Sequence, residues 1–401
     1  MHTKLIKDEI ADAADIIKAG GLVAVPTETV YGLAANGFDE AAVRSIFEVK
    51  GRPDNKPLSL MVSGTEAIDS LCLDVPEAAY FLANFFWPGP LTIVLKAREE
   101  ISPTVRAGGS TVGLRCPQQE QTLSLLKTAG LPLAAPSANP SGEPSPKTAR
   151  DVLNYFDGKI DAVIDGGECT LGVESTIIDM SRTPFKILRQ GAVMAEHLQL
   201  ALTASLTIIG ITGGTGCGKT TALEVLKDMG GLVIDCDEVY HKLLNESDAL
   251  IAALDERFPG TIPPGTHDTK ALGEIVFSNP EELAALNAIS HRFVGAEIGR
   301  LLGEWAMNGG KLAAIDAIAL IEGGVAAFCK VTVGVTAPTE ARVQRLMKRE
   351  GISREYAELR ISAQKPNEFF EKNCDRILEN DSDRDSFEIK CKQLFNEIIG
   401  G

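Results

Sequence analysis

The stretch GITGGTGCGKTT, residues 210–221, places Gly213 four residues before Gly218-Lys219-Thr220. That spacing, G-x-x-x-x-G-K-[ST], is a phosphate cradle. Glycines let backbone amides wrap phosphate oxygens, and the start of a following helix adds positive potential. The candidate cradle is Gly213, Gly214, Gly216, Cys217, Gly218, Lys219, Thr220 and Thr221. Lys219 would reach the β- and γ-phosphates of a nucleoside triphosphate, and the Thr220 hydroxyl would help hold Mg²⁺. Cys217 reads as a small packing residue. Downstream, Asp235 and Asp237 close an apolar run. On an extended segment they point the same way, so one could take the proton of an attacking hydroxyl. The same spacing also suits a helix cap near Glu238. Between 342 and 365 stand seven basic residues and three acidic ones. Arg342, Arg345 and Arg349 share one helix face there, and Val343, Leu346 and Met347 another. Such a helix is either a solvated face or a lid that clamps phosphoryl groups.

These groups need elements to hold them. LTIIGIT (206–212) predicts a buried strand, TTALEVLKDMG a helix ending at glycine, and GLVIDCD (231–237) the next strand. KLAAID (311–316) and VTVGVT (331–336) predict two more strands, and 238–308 is mostly helical in pattern. Before residue 206 there is no cradle motif, yet apolar runs alternate with helical patterns. GLVAVP (21–26), LTIVLK (91–96), LPLAAP (131–136) and DAVIDGG (161–167) predict strands. DEAAVRSIFEVK (39–50) and AAYFLANFF (78–86) predict helices. The expected class is α/β in two domains, 1–203 and 204–401, meeting at the short amphipathic piece 192–203.

In the first half any nucleotide must be held by side chains. Four segments offer polar groups at strand or loop ends: Thr27, Thr29 and Tyr31; Lys50, Arg52 and Lys56; Ser137 and Asn139; Ser175 and Thr176. Paired cations suit a triphosphate, and hydroxyls with an amide can fix sugar and amino-acid groups.

The 401 residues suffice for two cores, with 44% hydrophobic and 23% charged residues. The net charge is −16, divided as −7 over 1–203 and −9 over the remainder. That balance, with few aromatics, argues against a large nucleic-acid footprint and against stable nucleic-acid binding. Any anionic ligand must meet local basic clusters. Eight cysteines lie scattered, with no C-x-x-C pair. The start shows no signal-peptide pattern and no apolar run spans a bilayer, so a cytoplasmic protein without membrane partners is expected.

Two resemblances follow from these motifs. GGLVAVPTETVYGLAAN, IFEVKGRPDNKPLSLMV, FFWPGPLTIVL, TVGLRCP, LPLAAPSANPSGEPSP, GVESTIID and ILRQGAV, over about 4–195, resemble the threonylcarbamoyl-AMP synthase family. The resemblance implies a twisted mixed-sheet α/β domain. It also implies condensation of L-threonine, bicarbonate and ATP into threonylcarbamoyl-AMP, with release of pyrophosphate. The product would feed t⁶A modification of tRNA through a downstream transferase complex. It places Lys50, Arg52, Ser137 and Asn139 in the K-x-R and S-x-N signature, with Lys50 and Arg52 as catalytic cations. Thr111, Ser145 and Arg189 would join them on ATP, and Thr27, Arg115 and Ser175 would hold threonine. Arg189-Gln190-Gly191 departs from the family's R-P-G. An RNA-binding module is the other reading of this half.

From 206 to 401, GITGGTGCGKTT, VIDCDEVYHKLL, HRFV, VTVGVTAPTEARVQRLMKREGISREYAELRISAQ and CDRILEND resemble dephospho-CoA kinase. The resemblance implies a P-loop domain with a parallel sheet, a helical substrate part and a lid. ATP would phosphorylate the ribose 3′-hydroxyl of dephospho-CoA, with Asp237 as general base, Lys219 on the phosphates and Arg345 and Arg349 in the lid. His291-Arg292 stands where the family has His-Pro, and Ala319-Leu320-Ile321-Glu322 where it has P-L-L-F-E. Another small-molecule kinase, or an inactive copy, is the alternative for this half.

Overall fold

A computed structural model describes residues 2–262, 269–276 and 278–400. Residues 263–268 and 277, inside the segment expected to be mostly helical, lie outside that description. The chain forms two compact units. One runs to Ser205 and includes Met307–Gly309; the other takes Leu206–Ala306 and Gly310 onward. The amphipathic piece at 192–203 becomes the helix Ala195–Ala204, which packs on the helix Glu77–Phe86 of the first unit.

The first unit is built on eleven strands: β1 (Lys4–Ile6), β2 (Val23–Val25), β3 (Gly32–Asn36), β4 (Ser59–Met61), β5 (Cys72–Leu73), β6 (Leu91–Ala97), β7 (Thr111–Arg115), β8 (Leu133–Ala134), β9 (Ala162–Ile164), β10 (Thr176–Asp179) and β11 (Lys186–Arg189). Their order is β1-β9-β2-β3-β8-β4-β7-β6-β10-β11, with β5 on β6. The sheet mixes directions: β4 and β7 are parallel, β6 and β7 antiparallel, β6 and β10 parallel. Val23, Val25 and Ile164 bury one face against Ala13, Ile17, Leu125 and Leu126 of the helices Ile10–Lys18 and Glu120–Ala129. Burial of each large side chain there contributes about 1.5–3 kcal/mol.

Register decides which side chains meet at the sheet's ends. Met61 pairs with Arg115, and β6 runs back so that Thr92 begins near the end of β7. Ile177 pairs with Thr92 and with Arg189. Met61, Thr92, Arg115, Ser175 and Arg189 are thereby brought to one end. Thr111 pairs with Lys96 at the other end of β7.

The helix Glu40–Lys50 starts where Asp39 accepts from the amides of Ala41 and Ala42, and stops at Gly51. Gly51 has φ +58°, a left-handed conformation that ends a helix cheaply only in glycine. The stop fixes Lys50 in the last turn and leaves Arg52 on the loop beyond.

The second unit has five parallel strands, β12 (Thr207–Thr212), β13 (Leu232–Asp235), β14 (Leu312–Asp316), β15 (Val331–Thr336) and β16 (Arg376–Glu379), in the order β13-β14-β12-β15-β16. Ile209, Ile211, Val333 and Val335 pack against Val225, Leu226, Phe387 and Phe395 from helices. The helices Cys236–Glu246, Asp248–Arg257, Lys270–Val276 and Pro280–Met307 form the helical part. Thr339–Glu350 and Arg354–Ser362 pair through Val343, Leu346, Ala357 and Ile361. All eight cysteines are free, six of them buried. No helix among the described residues is long and apolar enough to cross a membrane.

Phe395 is fully buried in the second unit's core. Phe395→Ala should lower that unit's unfolding free energy by about 3–5 kcal/mol, measured by urea denaturation.

Candidate active sites

The register of the first sheet opens a cleft of about 780 Å³ at the end that gathers Arg115, Ser175 and Arg189. Arg52, Ser59, Met61, Thr92, Ser137 and Glu174 also line it. Three guanidiniums reach it from different elements. Arg52, beyond the helix stop, donates Nη2 to the Pro57 carbonyl at 3.0 Å. Arg115 ends β7 and donates Nη2 to Glu28 Oε1 and to Thr29 Oγ1, both at 2.8 Å. Arg189 ends β11, donates Nη2 to the Ser175 carbonyl at 2.9 Å and pairs Nη1 with Glu174. Glu174 also accepts from Ser145 Oγ at 3.2 Å, so Ser145 and Arg189 share one carboxylate. Ser175 Oγ lies 2.9 Å from Thr92 Oγ1.

Several of the expected site residues stand outside the lining of this cleft. Lys50 is not among the residues lining the cleft. It is 3% exposed and its Nζ donates to the carbonyls of Ser137 and Asn139. Burial, with Arg52 adding repulsion, pushes its ammonium down to about 8. Lys50 therefore ties down the Ser137–Asn139 segment of the cleft wall. Thr27 is 2% exposed and accepts from the amides of Thr29 and Val30 while donating to the Val30 carbonyl. Its hydroxyl closes a turn and meets Thr29 Oγ1 at 2.8 Å, one step from Arg115. Thr111 opens a separate depression with Lys96 and Arg182. Four residue steps of strand, about 13 Å, separate it from Arg115. Arg349, in the second unit, pairs with Glu350 on the outside of its helix. Asn139 lies 94% buried with Oδ1 unpartnered, while its Nδ2 holds Pro140 and Glu143 carbonyls.

In the second unit the glycine-rich turn joins β12 to the helix Lys219–Asp228. Gly218 caps that helix at φ +109°, and a Cβ there would stand 2.2 Å from Asn380 Nδ2. A glycine is the only residue that fits. Lys219 folds back, Nζ donating to the Gly213 carbonyl at 3.2 Å. Thr220 is exposed, and Cys217 is buried beneath the turn. The basic helix is not a solvated face at its first turns. Arg342, 3% exposed, donates Nε to the Thr215 carbonyl at 2.9 Å. Arg345 donates to the Gly216 carbonyl at 3.2 Å and to Asn380 Oδ1 at 2.9 Å. Gln364 Oε1 accepts from the Thr215 amide at 2.7 Å and from Arg342 at 3.1 Å.

The two aspartates divide the roles that spacing left open. Asp235 ends β13 and caps the next helix, accepting from the amides of Asp237 and Glu238. Asp237 is in that helix's first turn, not on an extended segment. It borders a cavity of about 690 Å³ with Tyr240, Asn287, Ser290 and His291. A third carboxylate had been read only as a strand end. Asp316 pairs in register with Ile211 and Asp235, beside the cradle. Its Oδ1 is buried without a partner. Burial pushes this carboxyl up to about 6; Lys219 opposes the shift, while Asp235 and Asp237 add to it. An acid closing an apolar strand after a phosphate cradle was a usable signal in KLAAID. Glu28, Glu174, Gln364 and Asn380 had no such signal, because each acts across a long stretch of chain.

Comparison with known proteins divides the chain at the same place. The Sua5_yciO_yrdC family model, described as "Telomere recombination", matches residues 15–191, and the dephospho-CoA kinase model matches 207–386. Over 191 residues the chain is 48% identical to a threonylcarbamoyl-AMP synthase of Pyrococcus abyssi, covering 48% of this chain and 56% of that one. A relative from Mycobacterium tuberculosis is 34% identical over 189 residues, covering 47% of this chain and 87% of its own length. A dephospho-CoA kinase of Corynebacterium glutamicum is 32% identical over 193 residues, covering 48% of this chain and 96% of its own. The chain spans about half the length of the first three synthases it matches. By these matches the chain belongs to the Sua5/YciO/YrdC family through its first half and to the dephospho-CoA kinase family through its second.

Proposed function

We propose that the chain carries two ATP-using activities in separate active sites. The first unit makes L-threonylcarbamoyl-AMP from L-threonine, bicarbonate and ATP. The supporting observation is the single cleft that Arg52, Arg115 and Arg189 line together with Ser137 and Ser175. Arg115 holds the threonine carboxylate beside Ser175. Threonine's amine captures bicarbonate as a carbamate, with loss of water. A carbamate oxygen attacks the α-phosphorus, and pyrophosphate leaves. Arg52 and Arg189 stabilise the charge growing on the phosphate oxygens, and Lys50 adds its potential from behind the wall. The product supplies the threonylcarbamoyl group for t⁶A in tRNA, through a separate transferase.

The second unit phosphorylates the 3′-hydroxyl of dephospho-CoA. The supporting observation is that the cradle, Lys219, Asp237 and Asp316 all stand at the carboxyl ends of parallel strands. That edge is where such sheets bind ligands. Asp237 accepts the hydroxyl proton, the freed oxygen attacks the γ-phosphorus, and ADP departs. Lys219 and Arg345 steady the transferring phosphoryl group. The unpartnered Asp316 Oδ1 beside Lys219, with the Thr220 hydroxyl, is an oxygen set that suits a hard cation. These two residues would hold Mg²⁺, which when bound neutralises phosphate charge.

The test is a product assay on purified protein with ATP and Mg²⁺. L-Threonine with bicarbonate should yield pyrophosphate and threonylcarbamoyl-AMP, and dephospho-CoA should yield ADP and CoA. Lys219→Ala should cut only the second reaction, by about 100-fold or more, and Arg52→Ala only the first. Loss of both reactions in either variant would contradict two sites. Salt-sensitive tRNA binding without turnover would replace the first reading with RNA binding.

Asp316 adds a pH-dependent expectation. Its folded value of about 6 lies above the ordinary carboxylate value, so the folded state disfavours its ionised form. The resulting penalty is complete above pH 6 and fades as pH falls toward 4. Asp316→Asn should therefore stabilise the chelator-treated protein at pH 8, by at most about 3 kcal/mol, while abolishing CoA formation. The gain should vanish near pH 4 in thermal melts.

A further inference from the structure

The three guanidiniums of the first cleft are compensated in different ways. Arg52 is held by backbone carbonyls and keeps its full charge. Arg189 meets Glu174, a carboxylate that itself lines the cleft. Arg115 meets Glu28, which does not line the cleft. The Arg115 and Glu28 side chains are 8% and 5% exposed, and their contact is 2.8 Å. Glu28 is fixed from both ends. Its Oε2 accepts from the Gln118 amide at 2.9 Å, and its own carbonyl accepts from the Leu171 amide at 2.8 Å. Arg115 spends Nη2 on Glu28 and Thr29, and directs Nε at the Gly89 carbonyl, 3.4 Å away. Its Nη1 makes no hydrogen bond among the described residues.

We propose that Glu28 is a positioning residue for the amino-acid substrate. It holds one edge of the Arg115 guanidinium so that Nη1 alone is offered to the cleft. An arginine free on both edges would grip a carboxylate as a two-pronged fork and could turn with it. Pinned on one edge, it presents one nitrogen, Nη1, in one orientation. Glu28 also balances the charge of Arg115. A zwitterion with one carboxylate suits the balanced pair. Thr29 secures the same edge, and Thr27 secures Thr29. This rests on the reading that Arg115 holds the carboxylate of threonine.

The test uses the full chain and two variants, Glu28→Gln and Thr29→Val. A glutamine cannot accept from both Arg115 and the Gln118 amide with two oxygens, and it removes the compensating charge. Glu28→Gln should raise KM for L-threonine about tenfold or more. KM for ATP should stay within about twofold, and kcat at saturating threonine should change little. Thr29→Val, which deletes one acceptor, should raise the threonine KM by a few-fold in the same selective way. Loss of half a buried ion pair can unfold a domain. If Glu28→Gln does not fold, Thr29→Val decides. An unchanged threonine KM in a folded variant, or equal rises for threonine and ATP, would overturn the proposal. Calorimetric titration of the wild type with L-threonine separates the two levels. No threonine binding by the wild type would refute the proposed activity and this role with it. Wild-type binding with unaltered variants would refute the role of Glu28 alone.

Discussion

In a chain of net charge −16, any polyphosphate site depends on positive potential concentrated locally, and both units hold cations by a common means. Many of their site cations are held by backbone carbonyls, which orient a cation without cancelling its charge, whereas Arg115 and Arg189 meet Glu28 and Glu174. Lys50 is held by Ser137 and Asn139, and Arg52 by Pro57. Lys219 is held by Gly213, Arg342 by Thr215 and Arg345 by Gly216. The exposed surface shows the opposite habit. Arg44, Arg300, Arg354 and Arg384 each pair with glutamates on their own or neighbouring helices. Such exposed pairs contribute little stability, whereas the carbonyl-held cations shape the sites.

That device explains why the glycine-rich turn and the arginine helix come as one structure. The turn directs some carbonyls outward as its amides curl, and these carbonyls would be costly if left without partners. Arg342 and Arg345 satisfy them from the next layer. Gln364 meets the one amide of Thr215 that faces the same way. A lid built on this helix is therefore coupled to the loop geometry by hydrogen bonds. Moving the helix away would require either water or a ligand to replace them.

Much of the fold could be read from local pattern. VTVGVT and LTIIGIT are continuous apolar runs, and both become buried parallel strands. The cradle was legible for the same reason, since all its parts lie within nine residues. Asp237 was misplaced because Asp235 ends its strand by capping a helix, and the alternation of an extended chain stops there. Thr111 and Arg115 share five residues of strand, but sequence does not say which end of a strand faces a ligand. The partners of Lys50 lie 87 and 89 residues away, and Glu28 lies 87 from Arg115. Such pairings come from the order of eleven strands, which no local period encodes.

The eight free cysteines give this protein an internal reporter. Burial raises every one of their thiols above the ordinary value, so little thiolate is present near neutrality. Alkylating reagents need the thiolate and need access. Reaction at Cys72, Cys116 or Cys169 then requires the first unit to open locally. Reaction at Cys217, Cys236 or Cys391 requires the same of the second. Cys217 lies under the phosphate turn itself, so its modification rate counts the moments when that turn comes apart.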